Sequence, residues 1–312
     1  MAKRRPRVLL LGNGLNLAYN RKSLSWKNFI RNVSLPNIPE NVTLPLSLEV
    51  ILRTNNQVKS TMKAHSRALY GDANSSELRQ VISDILALGF DEILTTNYSY
   101  ELETVALDLD EISEYRLKKI TRSTMGRADR KYLLHTYNEV ETNGVKNHIW
   151  HIHGEARKYE SMIIDHYQYG ALLNRFVNFC RWREKEPHQR KNGDLARESW
   201  LDVFMNADVY ILGQGFDFAE MDLWWLANRK GMEKNSGKMV YYEPRSDRRY
   251  DAKTELLKAY GVEAVDLNMM LPEKPGRRAA EEIQAKYRED KSALYGMFYK
   301  QAVEDMKMRF QG

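Results

Sequence analysis

Four short polar segments, each placed directly after an apolar run, constrain the fold of this chain more than any other feature. They occupy residues 12–16, 95–98, 151–154 and 213–217. Short apolar runs that end in Gly, Asn or His are typical of buried parallel strands that deliver their loops to one edge of a sheet. Ligands of open α/β sheets bind at that carboxyl edge, so the four segments together predict a single site.

The apolar pattern predicts about six strands, separated by helical stretches. The predicted strands are 8–11, 93–95, 149–152, 209–212, 239–242 and 263–267. One of the helical stretches, 77–86, spaces its apolar residues at three and four, with Ser75 or Ser76 as its cap and Gly89 at its end. We therefore predict an α/β fold: a Rossmann-like, mostly parallel sheet with helices on both faces and helical insertions.

The length of 312 residues suits one large α/β domain or two smaller ones, and we interpret 1–312 as a single domain. The first intervals between strands are longer than a crossover connection requires. We therefore expect helical insertions near 35–75, 100–140 and 155–198, the last with a helix at 167–183 and a polar loop at 186–194. In the tail, 277–310, we predict one or two further helices.

Composition excludes several classes of protein. The apolar fraction of 43% and charged fraction of 29% are ordinary for a globular chain, and no apolar run approaches the length of a membrane span. The basic start is followed by an apolar run that breaks at Gly12, too early for a signal peptide, so we expect a cytoplasmic protein. The one cysteine, Cys180, excludes an internal disulfide and a multi-cysteine zinc site, and we interpret it as a buried structural thiol.

The chain carries a net charge of +6, with basic clusters at 3–7, 181–191 and 245–249. Such clusters can attract nucleic acid or an acidic partner. Only Trp182 lies among them, whereas single-strand binders use several stacking aromatic residues. We favour a solvated basic face.

The first and fourth polar segments are candidates for nucleotide binding. Glycine lets a backbone turn tightly and approach a diphosphate, and the following helix can offer its N–H groups to the anion. Leu17 stands where a Rossmann fingerprint needs a third glycine, so dehydrogenase-type binding is not supported. Ordinary turns between strand and helix are the alternative. The candidate binding residues come from these two segments and from the two threonines of the second segment. They are Gly12, Asn13, Gly14, Asn16, Thr95, Thr96, Gly213, Gln214, Gly215 and Asp217.

The second and third segments carry the candidate catalytic residues, Asn97 and His153. Asparagine offers a neutral donor and acceptor that can hold a ribose hydroxyl or a water, although an Asx turn is an alternative. His153, beside Gly154, titrates near neutrality and can act as a general base. His151 is the second choice. The His-x-His spacing invites a metal interpretation, but no third ligand is evident nearby, so we expect no metal.

In their order these motifs resemble the sirtuin-like superfamily. Its members carry a Gly-x-Gly loop, a Thr-x-Asn segment, a His-Gly segment and a later glycine loop, which correspond here to 12–14, 95–97, 153–154 and 213–215. Ser25-Trp26 with Phe29 is similar to the bacterial branch. The resemblance spans about residues 8 to 245. It implies a Rossmann-type domain that binds NAD+ and breaks the nicotinamide–ribose bond, with Asn97 and His153 as the catalytic pair.

Two differences from the superfamily pattern indicate which branch of the superfamily this chain resembles. Protein deacylases of the superfamily carry a four-cysteine zinc module, which one cysteine cannot build, and an Asp where Ser99 stands. The resemblance therefore implies the bacterial branch that hydrolyses NAD+ outright, lacks the zinc module and often acts in anti-phage defence. That branch implies regulation by a homo-oligomer or a partner defence subunit, with any nucleic acid contacted through the partner and with no membrane.

Two rival functions remain open at this point. A protein deacylase or ADP-ribosyltransferase would use the same NAD+ site on a macromolecule. A non-catalytic nucleotide sensor would bind related ligands without turnover. These two functions and NAD+ hydrolysis all depend on one expectation, that Asn97 and His153 meet over the same ligand.

Overall fold

The computed structural model describes residues 4–19, 42–54, 75–109, 121–124, 131–142, 144–185, 199–234, 236–246, 248–276 and 278–311, with the single positions 60, 63, 66 and 69. Within them lie the strands β1 (Arg7–Leu11), β2 (Glu92–Thr95), β3 (Thr121–Thr124), β4 (Thr136–Thr142), β5 (Val145–His151), β6 (Asp208–Leu212), β7 (Met239–Tyr242) and β8 (Val262–Val265).

Helices connect the strands. They are α1 (Gly14–Ala18), α2 (Leu44–Thr54), α3 (Ser76–Ala87), α4 (Glu101–Ala106), α5 (His166–Arg183), α6 (Trp200–Asn206), α7 (Met221–Met232), α8 (Arg248–Ala259) and α9 (Glu281–Gln311), with a 3₁₀ helix at Ala156–Ser161. The predicted caps of α3 are present, since Ser75 Oγ accepts the Leu78 N–H at 3.3 Å and Gly89 has φ +68°.

The strands form one sheet in the order β3-β4-β5-β2-β1-β6-β7-β8. From β5 to β8 all neighbours are parallel. The chain leaves β1 toward β2 on one side and later returns to β6 on the other, which is the doubly wound arrangement with its switch point beside β1. The predicted fold class and all six predicted strands are confirmed.

Side chains of β1 alternate between two hydrophobic clusters, one on each face of the sheet. Leu9 and Leu11 pack in the cluster that contains α3 and α9 residues. Val8 and Leu10 pack in the cluster that contains α5, α6 and α7 residues. All four are at most 1% exposed. Helices cover both faces of this central strand, which is why its sequence is continuously apolar.

The predicted helical insertion near 100–140 is wrong at residues 121–124 and 136–140, which form strands. Only α4 is helical there among the described residues, and β3 and β4 add an antiparallel extension to the edge of the sheet. β4 lies between β3 and β5, and Glu139, Glu141 and Thr142 on it are partly or fully exposed. Antiparallel strands can have one solvated face, so β4 lacks the apolar run that marks the parallel strands. Asn143-Gly144, between β4 and β5, is the two-residue sequence signal of such a hairpin.

The other insertions contain helix where they are described. α2 and the helical positions 60, 63 and 66 lie within 35–75, and α5 matches the predicted helix at 167–183. Its N-terminus is held by a capping box between Asp165 and Gln168. The polar loop at 186–194 lies outside the described residues. The tail forms one helix, α9.

Cys180 lies in α5 and is buried, and burial raises the pKa of its thiol. This placement fits a structural role for the side chain. Across the described ranges, no helix combines the length and apolar character that a membrane crossing requires.

Candidate active site

A cleft with two lobes opens at the carboxyl edge of the parallel strands. The first lobe has a volume of about 490 Å³ and is lined by Asn97, His153 and Tyr169, among others. The second lobe, of about 730 Å³, is lined by the glycine loop after β6, the end of β7 and one side of α9. Asn13, Thr96 and Glu220 line both lobes, so the two form one continuous site.

The two glycine loops are pressed against each other at the back of this cleft. The Gly14 N–H donates to Gly213 O at 2.7 Å, and the Gly12 N–H to Leu212 O at 2.9 Å. A Cβ on Gly12 would lie 2.3 Å from Gln214 Oε1, and one on Gly14 2.6 Å from Gly213 O. Glycine is therefore required at both positions by contact between the loops. The approach of a diphosphate to these glycines stays a prediction.

A different glycine is open to a ligand. A Cβ on Gly215 would meet nothing within 4 Å, and Gly215 lines the second lobe. The Gly14 N–H is already used, and α1 has only five residues. The backbone that faces the cleft is thus supplied by the loop after β6 more than by the loop after β1.

Asn97 follows β2 and is held by a carboxylate. Its Nδ2 donates to Glu101 Oε1 at 2.5 Å, and Ser99 Oγ donates to Glu101 Oε2 at 2.6 Å. Its side-chain carbonyl oxygen, Oδ1, is buried and has no hydrogen-bond partner within the described part of the chain. A buried acceptor left unpaired costs roughly 1–3 kcal/mol, so this oxygen is suited to a donor that the described residues do not provide.

His153 is fixed by backbone and by a second carboxylate. Its carbonyl accepts the Ile163 N–H at 2.8 Å, and Gly154 follows with φ +89°, where a Cβ would lie 2.1 Å from Ser161 O. His153 Nε2 is 2.7 Å from Asp222 Oδ2, and no other polar contact of the ring is present among the described residues. Nδ1 is therefore the nitrogen that remains for a ligand in the first lobe.

The protonation of His153 is set by two opposing effects. Burial by itself would lower the pKa of the imidazole, but the charge and hydrogen bond of Asp222 outweigh it and raise the pKa above 6.5. With Nε2–H donated to Asp222, the neutral ring presents the Nδ1 lone pair as a base. This is the same division of roles as in other carboxylate–histidine pairs.

His151 does not line the cleft. Its Nδ1 is 2.7 Å from Asn97 O and its Nε2 is 3.0 Å from Glu103 Oε1. Burial acts to lower its pKa, yet Glu103 dominates and raises it to about 9, so at neutral pH the ring is charged and both nitrogens donate. His151 thus supports the backbone of Asn97 from behind.

Most of the predicted binding residues reach the cleft, and four do not. Those that line it are Asn13, Gly14, Thr96, Gly213, Gln214 and Gly215. Gly12 packs against the loop after β6, and Asn16 is buried and donates to Asn13 Oδ1. Thr95 is buried and donates to Leu11 O, while Asp217 is exposed and accepts the Ala219 N–H within its own turn.

Several residues of the site were missed in the sequence. Asp222 and Glu220 stand at the start of α7, where acidic residues are common because they complement the helix dipole. Glu220 lies between the lobes and accepts from Gln214 Nε2 at 2.9 Å. Burial raises its pKa to about 7, with His153 opposing and Asp222 adding to the rise. In the sequence, neither acid could be distinguished from the acidic residues that commonly begin a helix.

In the described residues no three His, Cys, Asp or Glu side chains are grouped so that they could hold a metal ion. The histidines are instead paired singly with carboxylates.

A comparison with protein families matches residues 91–265 to the SIR2-like domain. No curated protein matches the chain. The matched segment contains Asn97, His153 and Asp222, and it leaves out β1 with its glycine loop and α9, which the structure adds to the same sheet and cleft. Proteins of this family are generally NAD-dependent enzymes. Because the match covers more than half of the 312 residues, the chain belongs to the SIR2-like domain family.

Proposed function

We propose that this protein is an NAD+ glycohydrolase that cleaves the nicotinamide–ribose bond to give nicotinamide and ADP-ribose. The observation that carries the proposal is the convergence of Asn97 and His153 on the first lobe, from strands that are far apart in sequence. Each side chain is held by its own carboxylate, Glu101 or Asp222, and each keeps one polar atom without a hydrogen-bond partner among the described residues.

The residues divide the reaction between them. NAD+ supplies a glycosidic bond whose cleavage builds positive charge on the ribose while nicotinamide leaves as a neutral molecule with the bonding electron pair. Asn97 Oδ1 accepts a hydrogen bond from the attacking water or a ribose hydroxyl. His153 Nδ1 takes the proton of that water as its oxygen bonds to the anomeric carbon. A well-placed base of this kind contributes about 10²–10⁴-fold.

The proposal extends to physiology through the bacterial branch that the motifs resemble. Depletion of NAD+ would make the protein an effector of anti-phage defence. Its activity would be controlled by assembly into a homo-oligomer or by a partner subunit.

The test is incubation of the purified protein with NAD+, alone and after co-expression with the products of neighbouring genes, with chromatography of the nucleotides. We expect nicotinamide and ADP-ribose in equal amounts, and loss of both products with His153→Ala or Asn97→Ala. Full turnover by both variants, or intact NAD+ in every arm, would overturn the proposal.

The same experiment separates the rival functions. An acyl-peptide or a protein acceptor is added in parallel reactions. Nicotinamide release that requires the acceptor would indicate deacylation or ADP-ribosyl transfer. Binding of ADP-ribose without any turnover of NAD+ would indicate a sensor.

A further inference from the structure

The cleft is lined by carboxyl groups and, within the described part of the chain, by no lysine or arginine. Glu220 lies at the boundary of the two lobes, and Glu243 lies in the second lobe. The charge of Glu243 is compensated, since its carboxylate pairs with the Lys253 ammonium. Glu220 has no lysine or arginine partner among the described residues. Its carboxyl group is therefore the acid of the cleft that lacks a permanent positive partner.

The side chain of Glu220 is fixed through one of its two oxygens. Its backbone N–H donates to Asp217 O at 2.9 Å, at the start of α7. Its Oε2 accepts from Gln214 Nε2 at 2.9 Å and from the Asp217 N–H at 3.2 Å. Its Oε1 makes no hydrogen bond with a described residue, and the side chain lines the first lobe together with Asn97 and His153. Oε1 is therefore available to a ligand in that lobe.

The charge of Glu220 is governed by burial and by the groups around it. Burial raises the pKa of the carboxyl group to about 7, with Asp222 and Asp217 adding to the rise and His153 opposing it. The titratable groups that face it come from four segments: His153 after β5, Asp217 and Asp222 around the start of α7, Tyr98 after β2, and Tyr169 on α5. Above neutral pH the charged carboxylate predominates.

A carboxylate at this position suits the charge that the proposed reaction moves. In NAD+ the pyridinium ring is positive before the bond breaks. When nicotinamide leaves with the bonding electron pair, the positive charge develops on the ribose. A charged group that is already in place stabilises such a transition state without reorganisation, and it does so more strongly than water.

We propose that Glu220 is a third catalytic residue, whose carboxylate faces the pyridinium ring of the bound ligand and then the ribosyl cation. Glu220 forms no bond to the substrate and transfers no proton. The bond that breaks joins the anomeric carbon to the ring nitrogen, the bond that forms joins that carbon to the water oxygen, and His153 takes the proton. The inference rests on the proposed function for the reaction. It specifies the ligand class as a positively charged N-glycoside.

The variant Glu220→Gln removes the charge and changes little else. The amide oxygen of glutamine can accept the two hydrogen bonds that reach Oε2, and the amide nitrogen then takes the place of Oε1. The matched control is Glu233→Gln, which removes the same charge from the other end of α7, where Glu233 pairs with Arg183 and Arg229.

The first measurement uses two ligands that cannot be cleaved. One is the carbocyclic analogue of NAD+, in which a methylene group replaces the ring oxygen of the nicotinamide ribose, and the other is its neutral dihydro form. Calorimetry with the full chain at pH 8 should show the cation bound at least about tenfold tighter by the native protein and by Glu233→Gln. The ratio should fall to about one in Glu220→Gln. Both ligands carry the same diphosphate, so its repulsion from the cleft acids cancels in the ratio.

The second measurement is the pH profile of nicotinamide release between pH 5 and 8. The profile of kcat/KM reports the essential groups of the free enzyme. The native protein requires both His153 and Glu220 without a proton, so the logarithm of kcat/KM should rise with a slope approaching two at low pH. In Glu220→Gln the slope should fall to about one, and kcat should be about 10²-fold lower. Glu233→Gln should keep the native slope.

Several results would overturn the inference. They are equal affinities for the cation and the dihydro form in the native protein, retention of the native ratio by Glu220→Gln with melting curves that show a folded protein, and a slope of about two in that variant. If the native protein leaves NAD+ intact in every condition, the proposed hydrolysis fails, and the affinity ratio alone decides whether Glu220 faces a positive ring. A ratio that depends on Glu220 then supports its placement, and equal affinities refute it.

Discussion

Two histidine–carboxylate pairs, only two residues apart in sequence, differ in where the second ring nitrogen points. His151 pairs with Glu103 at 3.0 Å and His153 with Asp222 at 2.7 Å, and each ring is 3% exposed. Burial and the neighbouring acid act on both pKa values in the same directions. The second nitrogen of His151 is used by Asn97 O, whereas that of His153 is left at the cleft.

The comparison shows that a hydrogen bond between a histidine and a carboxylate does not by itself identify a catalytic histidine. His151 is the last residue of β5, so its side chain is held between neighbouring elements. His153 comes after the chain has turned out of the sheet, just before a glycine in the left-handed region. The same pair is therefore a support in one place and a candidate base in the other.

The largest effect should follow from removing His153, the histidine whose pair with Asp222 lies at the cleft. His153→Ala should lower NAD+ turnover by about 10²–10⁴-fold, because the variant loses the Nδ1 lone pair that acts as the base. The control is His148→Ala on β5. The ring of His148 pairs with Glu92 at 3.0 Å and does not line the cleft. Steady-state release of nicotinamide measures both. Equal losses in the two variants would contradict the assignment of His153.

The supporting pair should matter more for stability. Glu103→Leu leaves the charged His151 and the Asn138 amide, 2.8 Å from Glu103 Oε1, without their partner. We expect a loss of about 3–5 kcal/mol in the free energy of unfolding, measured with urea, as for other broken buried pairs.

A matched substitution on the surface sharpens that result. Glu139→Gln breaks the solvent-accessible pair with Lys146, at 2.9 Å, and should leave the free energy of unfolding nearly unchanged. If Glu103→Leu were as mild as Glu139→Gln, the supporting role of the His151 network would be wrong.

Stability should also depend on pH through His151. Its pKa is raised from 6.5 to about 9 by Glu103, against the effect of burial, so the folded state binds the proton more tightly than the unfolded state. The stabilisation is fully present below pH 6.5 and is lost as the pH rises toward about 9. The raised pKa corresponds to about 3 kcal/mol.

Urea unfolding at several pH values between 6 and 9 checks this expectation. The variant His151→Gln cannot titrate and should flatten the pH dependence over that interval. An unchanged pH dependence in His151→Gln would contradict the assignment.

The smallest predicted effect concerns the carboxylate behind Asn97. Glu101→Ala frees the Asn97 amide to rotate and should lower turnover by about tenfold, with little change in the apparent affinity for NAD+. Because Ser99 Oγ lies 2.6 Å from Glu101 Oε2, an aspartate at position 99 places a carboxylate near the same amide. Glu101→Ala with Ser99→Asp should therefore recover part of the loss, and an absence of recovery would argue for a purely structural role of Glu101.

Much of the fold and the centre of the site could be predicted because their signals are local. The parallel strands are buried on both faces and so appear as continuous apolar runs, and their carboxyl ends carry the residues that meet at the cleft. The β3–β4 extension was missed because its polar strands resemble a charged insertion, although Asn143-Gly144 indicated a hairpin. Asp222 and the residues of α9 that line the cleft gave no local signal, since their position depends on which elements pack together.

The sequence by itself determined the order of the strands along the chain, their burial and the placement of Asn97 and His153 at strand ends. Only the tertiary structure decided which acid holds which side chain, which of the two histidines faces the cleft, and that a helix beyond the matched domain forms one of its walls. The physical reason is the distance along the sequence over which each interaction acts. Apolar periodicity and turn chemistry act over a few neighbouring residues, whereas the pairing of His153 with Asp222 joins positions 69 residues apart and exists only once the sheet has brought them together.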